Sequence, residues 1–174
     1  ENALILIVDD VPENIQVLGS AIKSHNFQVA FATSGVQALK IASAKKPDLI
    51  MLDVTMPEMD GFEVCKKLKS QEDTKNIPVI FLTARVDIED IIRGFELGAV
   101  DYVTKPFNSH ELIARVKTHI ELKISRELIL KQNQSLEEIA INLKEENRAK
   151  DKFFSIMAHD LKSPFAGMIG IADV

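Results

Sequence analysis

The chain has 174 residues, of which 46% are hydrophobic and 27% are charged, a length that suits one compact domain with an appended segment. The formal net charge of −5 argues against a nucleic-acid-binding surface, and no run approaches the roughly 18 consecutive apolar residues of a membrane span. The single cysteine, Cys65, excludes an intramolecular disulfide and favours a reducing, cytoplasmic location.

Short apolar runs alternate with segments of helical periodicity in the first part of the chain. Strands this continuously apolar are typical of a parallel sheet that is covered by helices on both faces. Five such β/α repeats within about 120 residues favour an open, doubly wound sheet, because a barrel needs roughly twice that length. We expect the flavodoxin-like order 2-1-3-4-5, one of the common orders of such sheets. The predicted strands are ALILIV (3–8), FQVAFA (27–32), LIMLDV (49–54), VIFLT (79–83) and AVDYVTK (99–105).

Acidic residues fall where two of the predicted strands end. Asp9 and Asp10 close the first strand, and Asp53 closes the third. In a sheet of this order the two strands are neighbours, and their carboxyl ends border the ligand crevice. Three adjacent carboxylates repel one another unless a cation lies among them, and oxygen ligands suit Mg²⁺, with Mn²⁺ as an alternative ion. We therefore predict a magnesium site there.

Two further strand ends complete a pocket for a phosphoryl group. Thr83 ends the fourth predicted strand and offers a hydroxyl, whereas Lys105 ends the fifth and offers a positive charge to a phosphoryl oxygen. A carboxylate can itself accept a phosphoryl group and form an acyl phosphate. Asp53 is the best candidate acceptor, because the predicted metal lies on one side of it and the hydroxyl and ammonium on the other.

Four stretches, LILIVDD, LIMLDVTMPEMDGFEV, VIFLTA and DYVTKPF, resemble the motifs of two-component response-regulator receiver domains. The resemblance covers residues 1–122 and implies that Asp53 is the phosphoacceptor. It also implies that Asp9 and Asp10 hold Mg²⁺ together with the backbone carbonyl of Thr55. A domain of this family catalyses its own phosphorylation and dephosphorylation, and its phosphodonor is a histidine protein or a small acyl phosphate.

The same resemblance assigns roles on the last two strands. Thr83 and Lys105 are expected to bind the phosphoryl group, and the bond from Lys105 to Pro106 is expected to be cis, which only proline makes inexpensive. Tyr102 matches the aromatic residue that moves inward as the threonine moves toward the phosphate. Thr83 and Tyr102 are thus the predicted switch residues.

A long helix is predicted after the receiver-like part, since no glycine or proline occurs between Phe107 and Ser163. Residues 108–111 resemble a capping box. A seven-residue apolar ladder follows, and pairing with a second copy as a parallel homodimer is the simplest way to cover it. Leu122, Ile129, Leu136, Leu143 and Met157 form the ladder, Lys150 interrupts it, and the companion positions are Ser125, Gln132, Ile139, Glu146 and Phe153.

A histidine motif, FFSIMAHDLKSP, occupies residues 153–164 and carries His159 on a helix of apolar periodicity. It resembles the phosphoacceptor segment of histidine-kinase dimerisation domains, which implies that His159 accepts a phosphoryl group. Asp160 can then accept a proton and orient the ring, and Pro164 permits a bend. Where that family carries Thr or Asn for phosphatase action this chain has Ser163, which leaves such action open. The histidines at 25, 110 and 119 are expected to be structural.

These interpretations divide the chain into a receiver (1–122), a coiled-coil helix (108–152) and the start of a dimerisation domain (153–174). The sequence contains no glycine-rich nucleotide box, so we expect no ATP site here and no phosphorylation of His159 by this chain alone. It is expected to be the front of a longer histidine kinase. Phosphorylation of Asp53 is then expected to act through the coiled coil, with another receiver or a phosphotransfer protein downstream.

Three other functions are compatible with parts of the sequence. A stand-alone response regulator with a dimerising helical tail would leave the His159 motif unexplained. A metal-dependent phosphohydrolase with an aspartyl nucleophile usually has an acidic residue two positions later, where this chain has Thr55. A structural coiled-coil adaptor would leave the residues at the strand ends unexplained.

Overall fold

A computed structural model describes residues 2–84 and 87–169, with side chains as far as Met157. The chain divides into two units, residues 1–125 and residues 126–174. Across the described residues, every helix is either too short or too polar to cross a bilayer.

The first unit is a parallel sheet of five strands in the order β2-β1-β3-β4-β5, with helices around it. This is the predicted flavodoxin-like architecture. The fifth strand, Asp101–Thr104, is shorter than the predicted run 99–105. In chain order the elements are β1 (Leu4–Val8), α1 (Pro12–Lys23), β2 (Gln28–Ala32), α2 (Gly35–Lys45), β3 (Leu49–Asp53), α3 (Gly61–Ser70), β4 (Val79–Thr83), α4 (Ile88–Glu96), β5 (Asp101–Thr104) and α5 (Ser109–Ile169).

The buried apolar side chains form two clusters, because successive residues of each strand face opposite sides of the sheet. On β1, Leu6 and Val8 belong to one cluster, whereas Ile5 and Ile7 belong to the other. Helices α2 and α3 complete the first cluster, and helices α1 and α5 complete the second. Both faces of the central strands are therefore covered, and the open ends of the strands are where polar side chains can reach a ligand.

Helix α5 begins at a side-chain cap that is simpler than the predicted capping box. The side-chain oxygen of Asn108 accepts hydrogen bonds from the amides of His110 (3.0 Å) and Glu111 (3.2 Å). The Glu111 carboxylate is turned toward Arg115, 2.8 Å from its Nη2, instead of back toward Asn108. The start of the helix thus matches the prediction, but the reciprocal half of the box is replaced by an ion pair.

The second unit contains the remainder of α5, which is helical through Ile169 and so confirms the predicted long helix. All side chains described from Arg126 to Met157 are exposed. The ladder residue Leu136, for example, is 62% exposed. Apolar side chains this exposed on a helix are costly in water, so the helix alone does not explain why they are apolar.

Candidate functional site

The acidic residues at the ends of β1 and β3 converge. One carboxylate oxygen from each of Asp9, Asp10 and Asp53 lies within 4.8 Å of the other two. The strand register accounts for this, because Val8 pairs with Leu52 and the following residues of both strands emerge side by side. Asp9 is fully buried, Asp53 is 5% exposed, and Asp10 is partly exposed. A hard cation fits this set of carboxylate oxygen ligands.

Lys105 lies between two of these carboxylates. Its ammonium nitrogen is 2.7 Å from Oδ2 of Asp9 and 3.0 Å from Oδ1 of Asp53. Its backbone amide donates to the carbonyl of Thr83 (2.8 Å), and its bond to Pro106 is cis, as expected. Burial lowers the pKa of the lysine, but the hydrogen bonds to both carboxylates outweigh that effect and raise it. The ammonium is therefore held in its charged form beside Asp53.

The electrostatic environment of Asp53 disfavours a bare carboxylate. Burial raises the pKa of Asp53 above its usual value, and the negative charge of Asp9 adds to this effect. The hydrogen bonds from Lys105 and from the amide of Thr55 act in the opposite direction without reversing the shift. Additional positive charge would therefore stabilise the ionised form.

The loop after Asp53 folds tightly against the strand that carries it. A Cβ at Gly61 would collide with the carbonyl oxygen of Asp53 and would lie 2.9 Å from Cα of Val54, so glycine is required at this close approach. The side chain of Asp60 caps α3 by accepting a hydrogen bond from the amide of Glu63 (2.8 Å). This packing holds the Thr55 backbone next to Asp53. The predicted metal-binding role of the Thr55 carbonyl remains a prediction.

Thr83 and Tyr102 lie on the neighbouring strands β4 and β5. Thr83 ends β4 and is 9% exposed, whereas Tyr102 is half-buried on β5. The tyrosine ring meets Phe95 of α4 edge to face, with 6.3 Å between ring centroids. Both predicted switch residues line one pocket, which is partly open to solvent. The predicted inward movement of Tyr102 remains a prediction.

Sequence analysis missed a residue at the centre of the site. The side-chain nitrogen of Asn14 lies 2.9 Å from Oδ1 and 3.0 Å from Oδ2 of Asp9. Asn14 is the third residue of α1, in the first helical turn. A helix that starts with Pro12 shortly after a strand-end aspartate could have indicated this contact, because its first turn must lie next to that aspartate.

A second charged cluster, which we call the α5 clamp, ties the last receiver helix to the sheet. It comprises Arg115, His119 and Lys123 of α5 with their partners Asp101 and Asp48. The three basic residues are four positions apart and so share one helix face. His119 was expected to be an ordinary helix residue, but its Nε2 lies 3.0 Å from Oδ2 of Asp101. Its role is nevertheless structural, as expected.

Three predicted site residues belong to the second unit. His159, Asp160 and Ser163 lie outside the residues whose side chains the structure describes.

Comparison with known proteins shows the same architecture elsewhere. The sequence model of the response regulator receiver domain matches residues 5–117. A solved structure, the receiver domain of a sensor histidine kinase from Pseudomonas aeruginosa with a magnesium ion coordinated in its active-site cleft, is 30% identical to this chain with a TM-score of 0.65. The match covers 70% of this chain and 99% of that one.

Two curated relatives are much longer than this chain. The response regulator PleD of Caulobacter vibrioides is 42% identical over 123 residues, which are 71% of this chain and 27% of PleD. Hybrid signal transduction histidine kinase D of Dictyostelium discoideum is 32% identical over 193 aligned positions, which cover 96% of this chain and 12% of the kinase. The chain thus spans only a small part of the length of these two relatives.

Proposed function

Because the chain belongs to the response regulator receiver domain family, we propose that it is the phosphorylatable receiver module of a two-component histidine kinase, with Asp53 as the phosphoacceptor. Receiver domains take phosphoryl groups from histidine kinases or phosphotransfer proteins. The observation that carries the proposal is the placement of Lys105 between Asp9 and Asp53 (2.7 and 3.0 Å) at the ends of adjacent strands. This arrangement provides a nucleophile, a cation and a metal-binding carboxylate within one crevice.

Each residue of this site has a separate role in the proposed phosphoryl transfer. A carboxylate oxygen of Asp53 forms a bond to phosphorus, and the bond from phosphorus to the donor nitrogen or acyl oxygen breaks, its electron pair leaving with the donor. Lys105 is placed to neutralise a phosphoryl oxygen, and the Thr83 hydroxyl donates to another. The tight packing of Gly61 against the backbone of Asp53 keeps the nucleophile in place.

Magnesium fits the acidic residues of this crevice. Receiver domains bind Mg²⁺ at an acidic pocket of this kind, and one receiver of known structure has the ion in its cleft. Here Asp9, Asp10 and Asp53 would hold it, with the Thr55 carbonyl as a further ligand. When bound, the ion would supply positive charge that stabilises the ionised carboxylate of Asp53, whose pKa is otherwise raised. Mn²⁺ is an alternative ion for the same oxygen ligands.

The second unit of the chain is proposed to be the kinase side of the module. The similarity to the Dictyostelium hybrid kinase covers 96% of this chain and therefore extends well past the receiver. We assign residues 108–152 to a parallel, dimeric coiled coil and residues 153–174 to the start of a dimerisation domain. His159 is its proposed phosphoacceptor, Asp160 orients the imidazole, and Ser163 takes the place used for phosphatase action in that family.

The signal is proposed to pass through the coiled coil. Phosphorylation of Asp53 changes the face that includes α4 and α5, and this change alters the packing or register of the paired helices and so biases the helix that bears His159. The weak seam suits such a change, because Gln132 and Glu146 occupy companion positions. The downstream acceptor is another receiver or a phosphotransfer protein.

A second function is supported by a specific similarity. The match to PleD covers 71% of this chain and is a match to a response regulator. In this alternative the chain is a stand-alone response regulator, and its long helix serves only for dimerisation. A phosphoryl group that can be transferred to or from His159 distinguishes the two functions, because the alternative has no use for it.

The first test is the intact mass of the chain after incubation with acetyl phosphate and Mg²⁺. We expect one added phosphoryl group, and none in Asp53→Asn or in wild-type protein without Mg²⁺. A gain of mass in Asp53→Asn would contradict the proposed acceptor. Absence of any gain in the wild-type protein, with either acetyl phosphate or a phosphorylated histidine protein as donor, would contradict the proposed receiver activity.

The second test follows the coiled coil with cysteine crosslinks. Single cysteines at Ile129 or Leu143 are expected to form disulfides between two copies, and phosphorylation should change the crosslinking rates. The natural Cys65 is fully buried and contributes no background. Rates that are identical with and without phosphoryl group on Asp53 would contradict signalling through this segment.

A further inference from the structure

We propose that Asn14 is a positioning residue that fixes the orientation of the Asp9 carboxylate and thereby sets the Mg²⁺ affinity of the site. The inference rests on the proposed function of the acidic crevice. It is carried by one geometric observation: the amide nitrogen of Asn14 is almost equidistant from the two oxygens of Asp9, at 2.9 and 3.0 Å. One N–H of the NH₂ group is then shared between the two oxygens as a three-centre hydrogen bond.

Two other donors to Asp9 each contact only one of its oxygens. The amide of Val11 donates to Oδ1 at 2.9 Å, and the ammonium of Lys105 donates to Oδ2 at 2.7 Å. Rotation of the carboxylate about its Cβ–Cγ bond would therefore disturb three interactions at once, and Asn14 contributes to both ends. Because Asp9 is fully buried, bulk water does not readily replace a lost hydrogen-bond donor, and loss of the donor is costly.

The role of Asn14 increases when Lys105 turns toward another charge. The ammonium is shared between Asp9 and Asp53, and the proposed phosphoryl group would be a third negatively charged partner for it. A cation held by Asp9 would also repel the ammonium. In either case Asn14 and Val11 continue to hold the carboxylate, and of these two only Asn14 contacts both oxygens.

Asn14 is well placed for this task because its backbone is rigid. It belongs to the first turn of α1, where its own amide donates to the carbonyl of Val11 (3.1 Å), and Pro12 pre-sets the backbone at the helix start. Its side chain is neutral, so it orients the carboxylate without competing electrostatically with a bound cation. A lysine or arginine in the same position would orient the carboxylate but would also repel a bound cation.

The test compares Mg²⁺ binding in wild-type protein, Asn14→Leu and Gln16→Leu by isothermal titration calorimetry. Leucine has nearly the shape of asparagine but no donor, and loss of such a hydrogen bond to a ligating carboxylate weakens metal binding on the order of tenfold. We expect that loss in Asn14→Leu. Gln16 is an exposed residue of the same helix, so Gln16→Leu should keep the wild-type affinity within about twofold.

The outcomes separate this inference from the proposed function. If the wild-type protein does not bind Mg²⁺, the proposed function fails; if it binds and Asn14→Leu binds equally well, only the role of Asn14 is overturned. Thermal unfolding without Mg²⁺ shows whether each variant is folded. A second readout needs no variant: the side-chain amide resonances of Asn14 should move on Mg²⁺ addition much more than those of Gln37, and an equal response of the two would overturn the inference.

Discussion

The ammonium nitrogen of Lys105 lies 3.0 Å from a carboxylate oxygen of Asp53, the proposed phosphoacceptor. The same nitrogen lies 2.7 Å from Asp9, so a single ammonium is shared between two buried acids. The lysine thereby acts as an internal cation of the crevice. It also has to share those acids with any metal ion, which leads to the first prediction.

Replacement of Lys105 by methionine should lower the free energy of unfolding and strengthen the response to Mg²⁺. Loss of one partner of a buried ion pair costs about 3–5 kcal/mol. Because Lys105 is 20% exposed, we expect a smaller loss, about 2 kcal/mol, in urea unfolding without Mg²⁺. Added Mg²⁺ should restore more stability to the variant than it adds to the wild-type protein.

The matched control for this prediction is Lys46→Met. Lys46 pairs with Asp73, but both side chains are largely exposed, at 63% and 72%. An exposed pair contributes about 0–1 kcal/mol, so the control should unfold much like the wild-type protein. An equal effect of Mg²⁺ on Lys105→Met and on wild-type protein would show that the lysine does not compete with the ion.

Asp101 is expected to be the most important acid of the α5 clamp. It accepts hydrogen bonds from Arg115 (2.8 and 2.9 Å), His119 (3.0 Å) and the amide of Tyr102 (2.8 Å). Asp101→Asn should lower the free energy of unfolding at neutral pH by about 1–2 kcal/mol, measured by urea denaturation. Glu111→Gln is the control, because Glu111 pairs with the same arginine from a position that is 52% exposed, and its effect should be close to zero.

The contribution of Asp101 should depend on pH. Burial raises the pKa of Asp101, but hydrogen bonds from His119, Arg115 and Tyr102 outweigh burial and lower it below the ordinary value. The unfolded chain then binds more protons than the folded chain between the two pKa values, so this stabilisation is present above about pH 4 and is lost as the pH falls through the folded pKa. The stability difference between wild-type protein and Asp101→Asn should shrink over that range, and a difference that grows with acidity would contradict the assignment.

Gly61→Ala should damage both stability and phosphorylation. The added methyl group meets the carbonyl of Asp53 and Cα of Val54, which are backbone atoms that cannot rotate away. We expect a loss of about 1–3 kcal/mol and slower phosphorylation by acetyl phosphate. Gly19→Ala is the control, since its methyl group meets only the ring of Phe31 and alanine favours the helix. Normal phosphorylation of Gly61→Ala would show that the Asp53 backbone tolerates displacement.

The proposed coiled coil predicts a difference between two equally exposed residues of α5. Leu136 is 62% exposed and lies on the seven-residue ladder, whereas Ile141 is 59% exposed and lies five positions later, off the seam. Leu136→Glu should weaken dimerisation at least about tenfold in sedimentation equilibrium. Ile141→Glu should leave it nearly unchanged. Equal effects of the two substitutions would argue against a seam at this position.

Local features of the sequence were sufficient to predict the fold. The five apolar runs correspond to the five strands, because a continuously apolar strand is stable only where helices cover both faces of the sheet. The run VIFLT, for example, matches β4 residue for residue. Asp9, Asp53, Thr83 and Lys105 could be assigned to one edge of the sheet for the same reason, since strand direction determines which ends meet. The long helix followed from the absence of glycine and proline.

The long-range contacts of the site and of the α5 clamp were decided by tertiary structure alone. The bond of Lys105 to Asp9 joins residues 96 positions apart, and that of Lys123 to Asp48 joins residues 75 apart. No local pattern encodes such pairs, because they depend on strand register and on which side-chain rotamers the packed core leaves free. Asn14 is the clearest case. By itself it is an ordinary residue of a helix start, and only the packing of α1 beside β1 brings its amide to both oxygens of a buried carboxylate.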